Sequence, residues 1–278
     1  MKSVRDRWLI LAAAVALLSI LGIIWWWWPV PTPAPGMDEV EVREDGLLYR
    51  AYSSAPYTGP VEEFWSPGKP SLKSQFVNGR GEGRWAIWWQ HGRLKQEAHF
   101  RAGKRHGRET HWHENGTKKF EGSFTNGRPH GRHVTWSASG DRLIDSGYHD
   151  GQLHGVQTSW FHNGQKESDG QFLNGKPIDR HNQWNEEGQQ IRERLFRDGV
   201  AHGEERRWFA NGQLQLNGRW RGGKLEEAVT YTPTGQESGR VISGNGVLRM
   251  YRPDGTLARE TKWEKGRETI PPKPKPSP

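Results

Sequence analysis

Four histidines, His106, His130, His154 and His202, each stand immediately before a glycine at one recurring position. Imidazole is the commonest transition-metal ligand, but two imidazoles on one zinc must bring their nitrogens within ~4 Å of each other. A second set, Glu97, Glu121, Asp145, Asp169 and Glu193, recurs at one fixed step. Paired carboxylates do general acid–base work when unlike surroundings leave one protonated and the other ionised, and a repeated column supplies like surroundings. Cross-strand pairing with basic neighbours, at ~0.2–1 kcal/mol per pair, is the role such a column fits. His111 and His113 alternate on one strand face, and two alternating histidines alone are a weak metal signal. The chain has no cysteine, which removes disulfides, thiolate nucleophiles and Cys-ligated zinc together. No nucleophile motif, phosphate loop or dinucleotide fingerprint is present, so the sequence reads as a non-enzyme with no catalytic residue, metal or cofactor.

The elements that carry these residues follow from a fixed period. An aromatic recurs at the same constant step at Phe64, Trp88, Trp112, Trp136, Trp160, Trp184 and Trp208. A second column holds Phe76, Phe100, Phe124, Tyr148, Phe172, Phe196 and Trp220. Glycines keep that step too, from Gly68 to Gly212 and from Gly79 to Gly223. Before them stand Asn78, Asn115, Asn126, Asn163, Asn174 and Asn211, with Asp150 and Asp198 in the same slot elsewhere. Asn-Gly and Asp-Gly accept positive φ, which tight hairpin turns require. Turn glycines alternate between a shorter and a longer separation, leaving strands of about seven or eight residues. The expected fold is all-β: an elongated, single-layer antiparallel meander of 24-residue β-hairpin repeats. Glycine at this density costs ~1 kcal/mol each inside a helix, and no 3.6-residue apolar stripe is present.

This spacing bears on the histidines. Equivalent positions fall two strands apart, ~9 to 10 Å at ~4.8 Å per strand, too far to share a zinc. It also divides the aromatics. A three-residue loop at Asn115-Gly116 with a bulge would bring Trp112 and Phe120 onto one face, whereas a two-residue loop would separate them, and the shared face is the expectation. Both columns (Trp88, Trp112, Trp136, Trp160, Trp184 and Trp208, with Phe100, Phe124, Tyr148, Phe172, Phe196 and Trp220) are then structural. The neighbours Trp65, Trp89, Phe161 and Phe209 point to the other face as a candidate binding row.

The stretch from Trp8 to Trp28 carries no charge and as a helix would reach about 31 Å, enough to span a bilayer core of ~30 Å. Lys2, Arg5 and Arg7 precede the stretch and Asp38, Glu39, Glu41, Glu44 and Asp45 follow it, which places the N-terminus in the cytoplasm and the repeats outside. The expected organisation is a cytoplasmic start and transmembrane helix over 1–28, a proline-rich spacer over 29–37 and a partial capping unit over 38–58. Seven hairpin repeats follow over 59–226, then degenerate capping repeats over 227–269 and a Pro/Lys tail over 270–278. The net charge of +8 is interleaved with acidic residues and forms no basic stripe, so nucleic acid is not an expected partner.

The unit Gly-x4-Trp-x3-Gly-x7-Phe-x2-Gly-x3-Gly, as in Gly107, Trp112, Gly116, Phe124, Gly127 and Gly131, resembles the variant MORN repeat of the YwqK-type antitoxin family. The segment Ala55-Pro-Tyr-Thr-Gly59 is similar to the start of such arrays, and the resemblance covers about residues 45 to 269. It implies a MORN-like scaffold that binds another protein, a toxin in an antitoxin or immunity role. With the N-terminal helix, the expectation is an inner-membrane protein whose repeats lie on the periplasmic or extracellular side. The paired aromatics also resemble choline-binding cell-wall modules, so a cell-wall glycan is the alternative partner.

Overall fold

A computed structural model describes residues 40–269. The anchor, the spacer and the C-terminal tail lie outside the described residues. Among the described residues no helix is long and apolar enough to cross a membrane. The chain divides into two compact units, one ending at Gly140 and one beginning at Asp141.

In the first unit a short hairpin, Val40–Val42 with Leu48–Arg50, forms its own two-stranded sheet, tied to the meander where Leu48 N–H donates to the Gly79 carbonyl at 3.0 Å. It is followed by an antiparallel meander through Gly59–Ser66, Lys69–Val77, Arg80–Trp88 and Leu94–Arg101. The meander goes on through Gly107–Trp112, Lys118–Thr125 and Gly131–Trp136. The second unit is a single-sheet meander too, from Arg142–His149 and Gln152–Trp160 to Leu257–Glu264 and Arg267–Thr269, each strand paired with the one before it. Its conventional apolar core lies late in the chain, where Leu216, Leu225, Ala228, Val241 and Leu248 cluster against Trp220, Met250 and Trp263.

Two kinds of turn alternate, for different reasons. At Asn126-Gly127 both residues have positive φ (51° and 84°) between the paired Thr125 and Arg128, which is a type I′ turn. Asn78, Asp150, Asn174 and Asp198 occupy the same left-handed position, and Ala102 does so without the polar side chain that eases it. The turn's spare amide is used as well. Gly127 N–H donates to the Arg105 carbonyl at 2.8 Å, Gly175 to Leu153 at 2.8 Å and Gly199 to Pro177 at 3.0 Å, so each turn leans on the preceding strand.

The other turn is a three-residue loop. His113 N–H donates to the Thr117 carbonyl and Gly116 N–H to the His113 carbonyl, with Gly116 alone at positive φ. This corrects the reading of Asn115, Asn163 and Asn211, which are not left-handed residues. Their side chains do the work instead. Asn115 Oδ1 accepts from Thr117 N–H at 3.0 Å while its Nδ2 donates to the Ala138 carbonyl at 2.7 Å, one repeat further on. Asn163 reaches Glu186 and Asn211 reaches Pro233 in the same way. These asparagines occur in every second repeat, at twice the aromatic period.

The loop has the expected length, yet the shared face does not follow from it. Trp112 is opposite Lys118, but His111 is opposite Phe120, which leaves Lys119 as an extra residue. Such a one-residue bulge reverses which face the following side chains take. The same slip occurs at Trp88, Trp160, Trp184 and Trp208. In each unit the Trp and Phe columns therefore line opposite faces of the meander.

A second bulge explains the longer of the two glycine separations. In the second unit Ser146 pairs with Gln157 and Tyr148 with Leu153, so three residues oppose Gly147 alone. Gly155 lies in this bulge at φ 87°, and Asp179 (57°) and Gly203 (84°) hold the equivalent places. At Gly175 an added Cβ would meet nothing closer than 3.9 Å, so its φ of 78° is the sole obstacle to a side chain. Gly175→Ala is expected to lower unfolding free energy by ~1–2 kcal/mol, the cost of one left-handed Cβ, as measured by urea denaturation.

Candidate functional site

The face that carries the Phe column also carries a column the aromatic period conceals: Trp85, Glu109, His133, Gln157, His181 and Glu205, in step with the rings and chemically variable. Two of its members, Trp85 and His181, stand between successive rings of the constant column, and His133 packs against one. Trp85 lies 5.3 Å from Phe76 and 4.4 Å from Phe100 between ring centroids. His133 lies 5.1 Å from Phe124, and His181 lies 5.0 Å from Phe172 and 4.8 Å from Phe196.

Space for the imidazoles comes from missing side chains. A Cβ at Gly122 would fall 2.8 Å from His133 Nδ1, and one at Gly170 would collide with the His181 ring. Each imidazole is then fixed by a hydrogen bond to a carbonyl, His133 to Ser123 at 2.8 Å and His181 to Gln171 at 3.0 Å. Burial pushes the His133 imidazole below its ordinary pKa.

Where the variable residue is glutamate, arginine replaces histidine as the ring's neighbour. Glu109 is buried, accepts from Gln96 at 3.1 Å and Arg105 at 3.1 Å, and lies 2.6 Å from His111 Nε2. The Arg105 guanidinium lies 4.1 Å over Phe124. Glu205 is fully enclosed, with Arg207 at 2.8 Å and Arg192 at 2.9 Å on Oε1, and Arg194 Nε at 3.4 Å from Oε2. Arg194 in turn lies 4.4 Å over Trp220 and 5.3 Å from Phe196. Burial alone would raise the Glu205 pKa, but Arg207, Arg194 and Arg192 together hold it below the ordinary carboxylate value.

The opposite face is a salt-bridged surface. Glu97 pairs with Arg84 at 2.8 Å, Glu121 with Arg108 at 2.6 Å, Asp169 with Lys166 at 2.9 Å and Glu193 with Arg180 at 3.2 Å. The Trp column lies under cations: Lys118 over Trp136 at 5.8 Å, Arg142 over Trp160 at 5.3 Å and Lys166 over Trp184 at 4.9 Å.

Of the row expected to bind, Trp89, Phe161 and Phe209 begin three-residue loops, whereas Trp65 lies within the strand Gly59–Ser66 at an irregularity before a two-residue turn. Trp65 Nε1 donates to the Trp88 carbonyl at 3.1 Å, and Lys95 covers Trp89 at 4.6 Å. Phe161 is half-buried. Phe209 is corrected outright, being only 5% exposed. Residues at or beside these turns lean onto the next repeat's turn, as Trp65 does onto Trp88 and His113 onto Trp136 at 3.0 Å, and this shields them. His111 and His113 are engaged separately, one by Glu109 and the other by that carbonyl. His106 and His130 sit at the bulge, donating backbone N–H groups to His99 and Ser123.

The sequence reading missed the variable column because period searching rewards identity. Its signal was a position that keeps the repeat step while its residue type changes between constant neighbours.

The description "MORN repeat variant" matches residues 105–126, 153–174 and 201–218, three segments that fall in alternate repeats. The step is the asparagine step of the loops. The chain is thus a β-hairpin repeat protein in which these three segments match the MORN repeat variant. No curated protein matches it. Among solved structures, one titled "Crystal Structure of TcdB2-TccC3-Cdc42" aligns at 12% identity over 74% of this chain, with a TM-score of 0.17, too low to argue from. The chain spans 13% of that structure's length.

Two outcomes follow from the packing. Gly170→Ala is expected to destabilise by ~1–3 kcal/mol through overpacking, and His181→Ala in the same chain is expected to recover part of that loss in a double-mutant cycle. Glu205→Gln removes the buried anion that three half-buried guanidiniums share, at a cost of ~1–3 kcal/mol near neutral pH. A carboxylate whose folded pKa is lowered contributes fully above its unfolded value and loses that contribution as pH falls through the folded one. The gap between Glu205→Gln and the parent chain should therefore close in acid, below the ordinary value of 4.5, when unfolding is followed by circular dichroism against pH.

Proposed function

We propose that this chain is a membrane-anchored repeat scaffold that binds another protein along the face carrying the variable column, in an antitoxin or immunity role. The observation that carries this reading is a changing residue set in an unchanging frame. Trp85, Glu109 and His133 in the first unit, and Gln157, His181 and Glu205 in the second, each hold one position against the same ring column. Within each unit, a frame that offers a different side chain at each step suits recognition of an extended polypeptide, since aromatics and arginines dominate protein hot spots.

The MORN-variant segments support the scaffold, and the family resemblance supports the antitoxin role. The uncharged stretch from Trp8 to Trp28, with basic residues before and acidic residues after, supports an inner-membrane anchor with the repeats outside. A cell-wall glycan has less in its favour, because the ring faces it would stack on are occupied by Lys118, Arg142 and Lys166.

Crosslinking of the full chain in its native membrane, followed by mass spectrometry, should recover a discrete protein partner attached near the variable column. Retention of the chain on protein-free sacculi, with no protein crosslink, would instead assign it to the glycan class. Extraction of the chain from membranes at high pH would remove the anchor from the reading.

A further inference from the structure

In the second unit a cavity of about 220 Å³ opens on the variable face, lined by Gln157, His181, Gln183, Arg192, Arg194 and Phe196 among others. Three guanidiniums, Arg192, Arg194 and Arg207, converge on the single carboxylate of Glu205. That carboxylate is spent unevenly. Oε1 takes Arg207 and Arg192, whereas Oε2 has only Arg194 Nε at 3.4 Å, a contact without hydrogen-bond geometry.

Arg194 is therefore held in place yet underused. Its guanidinium is stacked near Trp220 and Phe196, and it makes no hydrogen bond among the described residues. Three positive charges share one negative, and two of the three, Arg192 and Arg194, line the cavity. The carboxylate at its lining, Asp169, is already taken by Lys166 at 2.9 Å and Asn182 at 2.8 Å.

We infer that this cavity is a receptor for an acidic side chain of a bound polypeptide, whose carboxylate is received by Arg194 and Arg192 while Gln157 and Gln183 hydrogen-bond the adjoining peptide groups. The inference rests on the protein-binding reading and names the chemistry of the partner. A fixed guanidinium fork matches a carboxylate in two parallel hydrogen bonds. The cavity holds one or two side chains, and the amides beside it suit a peptide backbone. A membrane or nucleic-acid surface would need a broad positive field. Around this site Glu193 neutralises Arg180 and Glu204 neutralises Arg206, so the excess charge is local.

The test titrates the full chain, in detergent micelles, with fluorescein-labelled octaglutamate and reads anisotropy. Octaglutamate should bind and weaken with added salt, and octaglutamine should not bind. Gln183→Glu is nearly isosteric and puts a carboxylate opposite Arg192, its cross-strand partner. It should weaken octaglutamate about tenfold or more, the order expected for lost charge-assisted hydrogen bonds, with an unchanged circular dichroism spectrum. Arg194→Lys keeps the charge but loses the fork, and should also weaken binding. Equal binding by the parent chain and a folded Gln183→Glu would overturn the inference. So would displacement of octaglutamate by phosphatidylglycerol vesicles but not by phosphatidylcholine vesicles, which would assign the site to lipid. A native protein partner that crosslinks undiminished to Gln183→Glu would overturn this site and leave the scaffold standing.

Discussion

Left-handed backbone at fixed intervals is the constraint on which the rest of this structure depends. A β-sheet without a conventional aliphatic core along most of its length needs its strand boundaries imposed locally, and turn residues impose them. The type I′ pairs, such as Asn126-Gly127 and Asn174-Gly175, demand two consecutive positive φ angles that most residues resist by ~1–2 kcal/mol. The three-residue loops need one, at Gly116 or Gly164. Because each type I′ turn also donates an amide to the strand beside it, these turns help fix the register of neighbouring hairpins through the backbone alone. The side chains then act on a frame already drawn.

What they act on is a sheet with unlike faces, and the bulge at each tryptophan creates the difference. Without Lys119 and its equivalents, alternation would carry tryptophan and phenylalanine to the same side. The slip sends tryptophan to a face of ion pairs, where cations cover it, and phenylalanine to a face that is half aromatic and half variable. One face thus takes over solubility through charge pairs such as Arg84–Glu97. The other is released to vary, because a residue wedged between two rings can change from tryptophan to histidine to glutamate while the rings stay where the turns put them.

The amount of this that the sequence disclosed follows from how far each interaction reaches. Turns are local, so Asn-Gly and Asp-Gly pairs at alternating separations revealed the meander and the strand lengths. Bulges are products of pairing between strands, and nothing at Lys119 marks it as the extra residue; the face of Phe120 was therefore misjudged. The asparagines at 115, 163 and 211 look like those at 126 and 174, yet serve as side-chain anchors to the next repeat and not as left-handed residues. Their doubled step was present in the sequence, hidden beneath the stronger aromatic period. The charge on Glu205 was legible as a residue but not as a site, since its three arginines come from two strands: Arg192 and Arg194 from the neighbouring one and Arg207 from its own.

Buried ionic clusters are poor devices for stability, and this bears on why Glu109 and Glu205 stand in a column that elsewhere holds Trp85 and His133. Removing ions from water costs several kcal/mol each, and apolar replacements of similar volume are often neutral or stabilising. Trp85, wedged between Phe76 and Phe100, shows that an apolar residue fits this column. A frame selected for stability alone would have such a residue at every step. The glutamates and their arginines instead give the face alternating chemistry, with charge at two steps and imidazole or amide between, at a cost the turn ladder and the late apolar core can absorb. A column that accepts a costlier residue where an apolar one packs between the same rings is not explained by stability, and it is on this column that the proposed recognition rests.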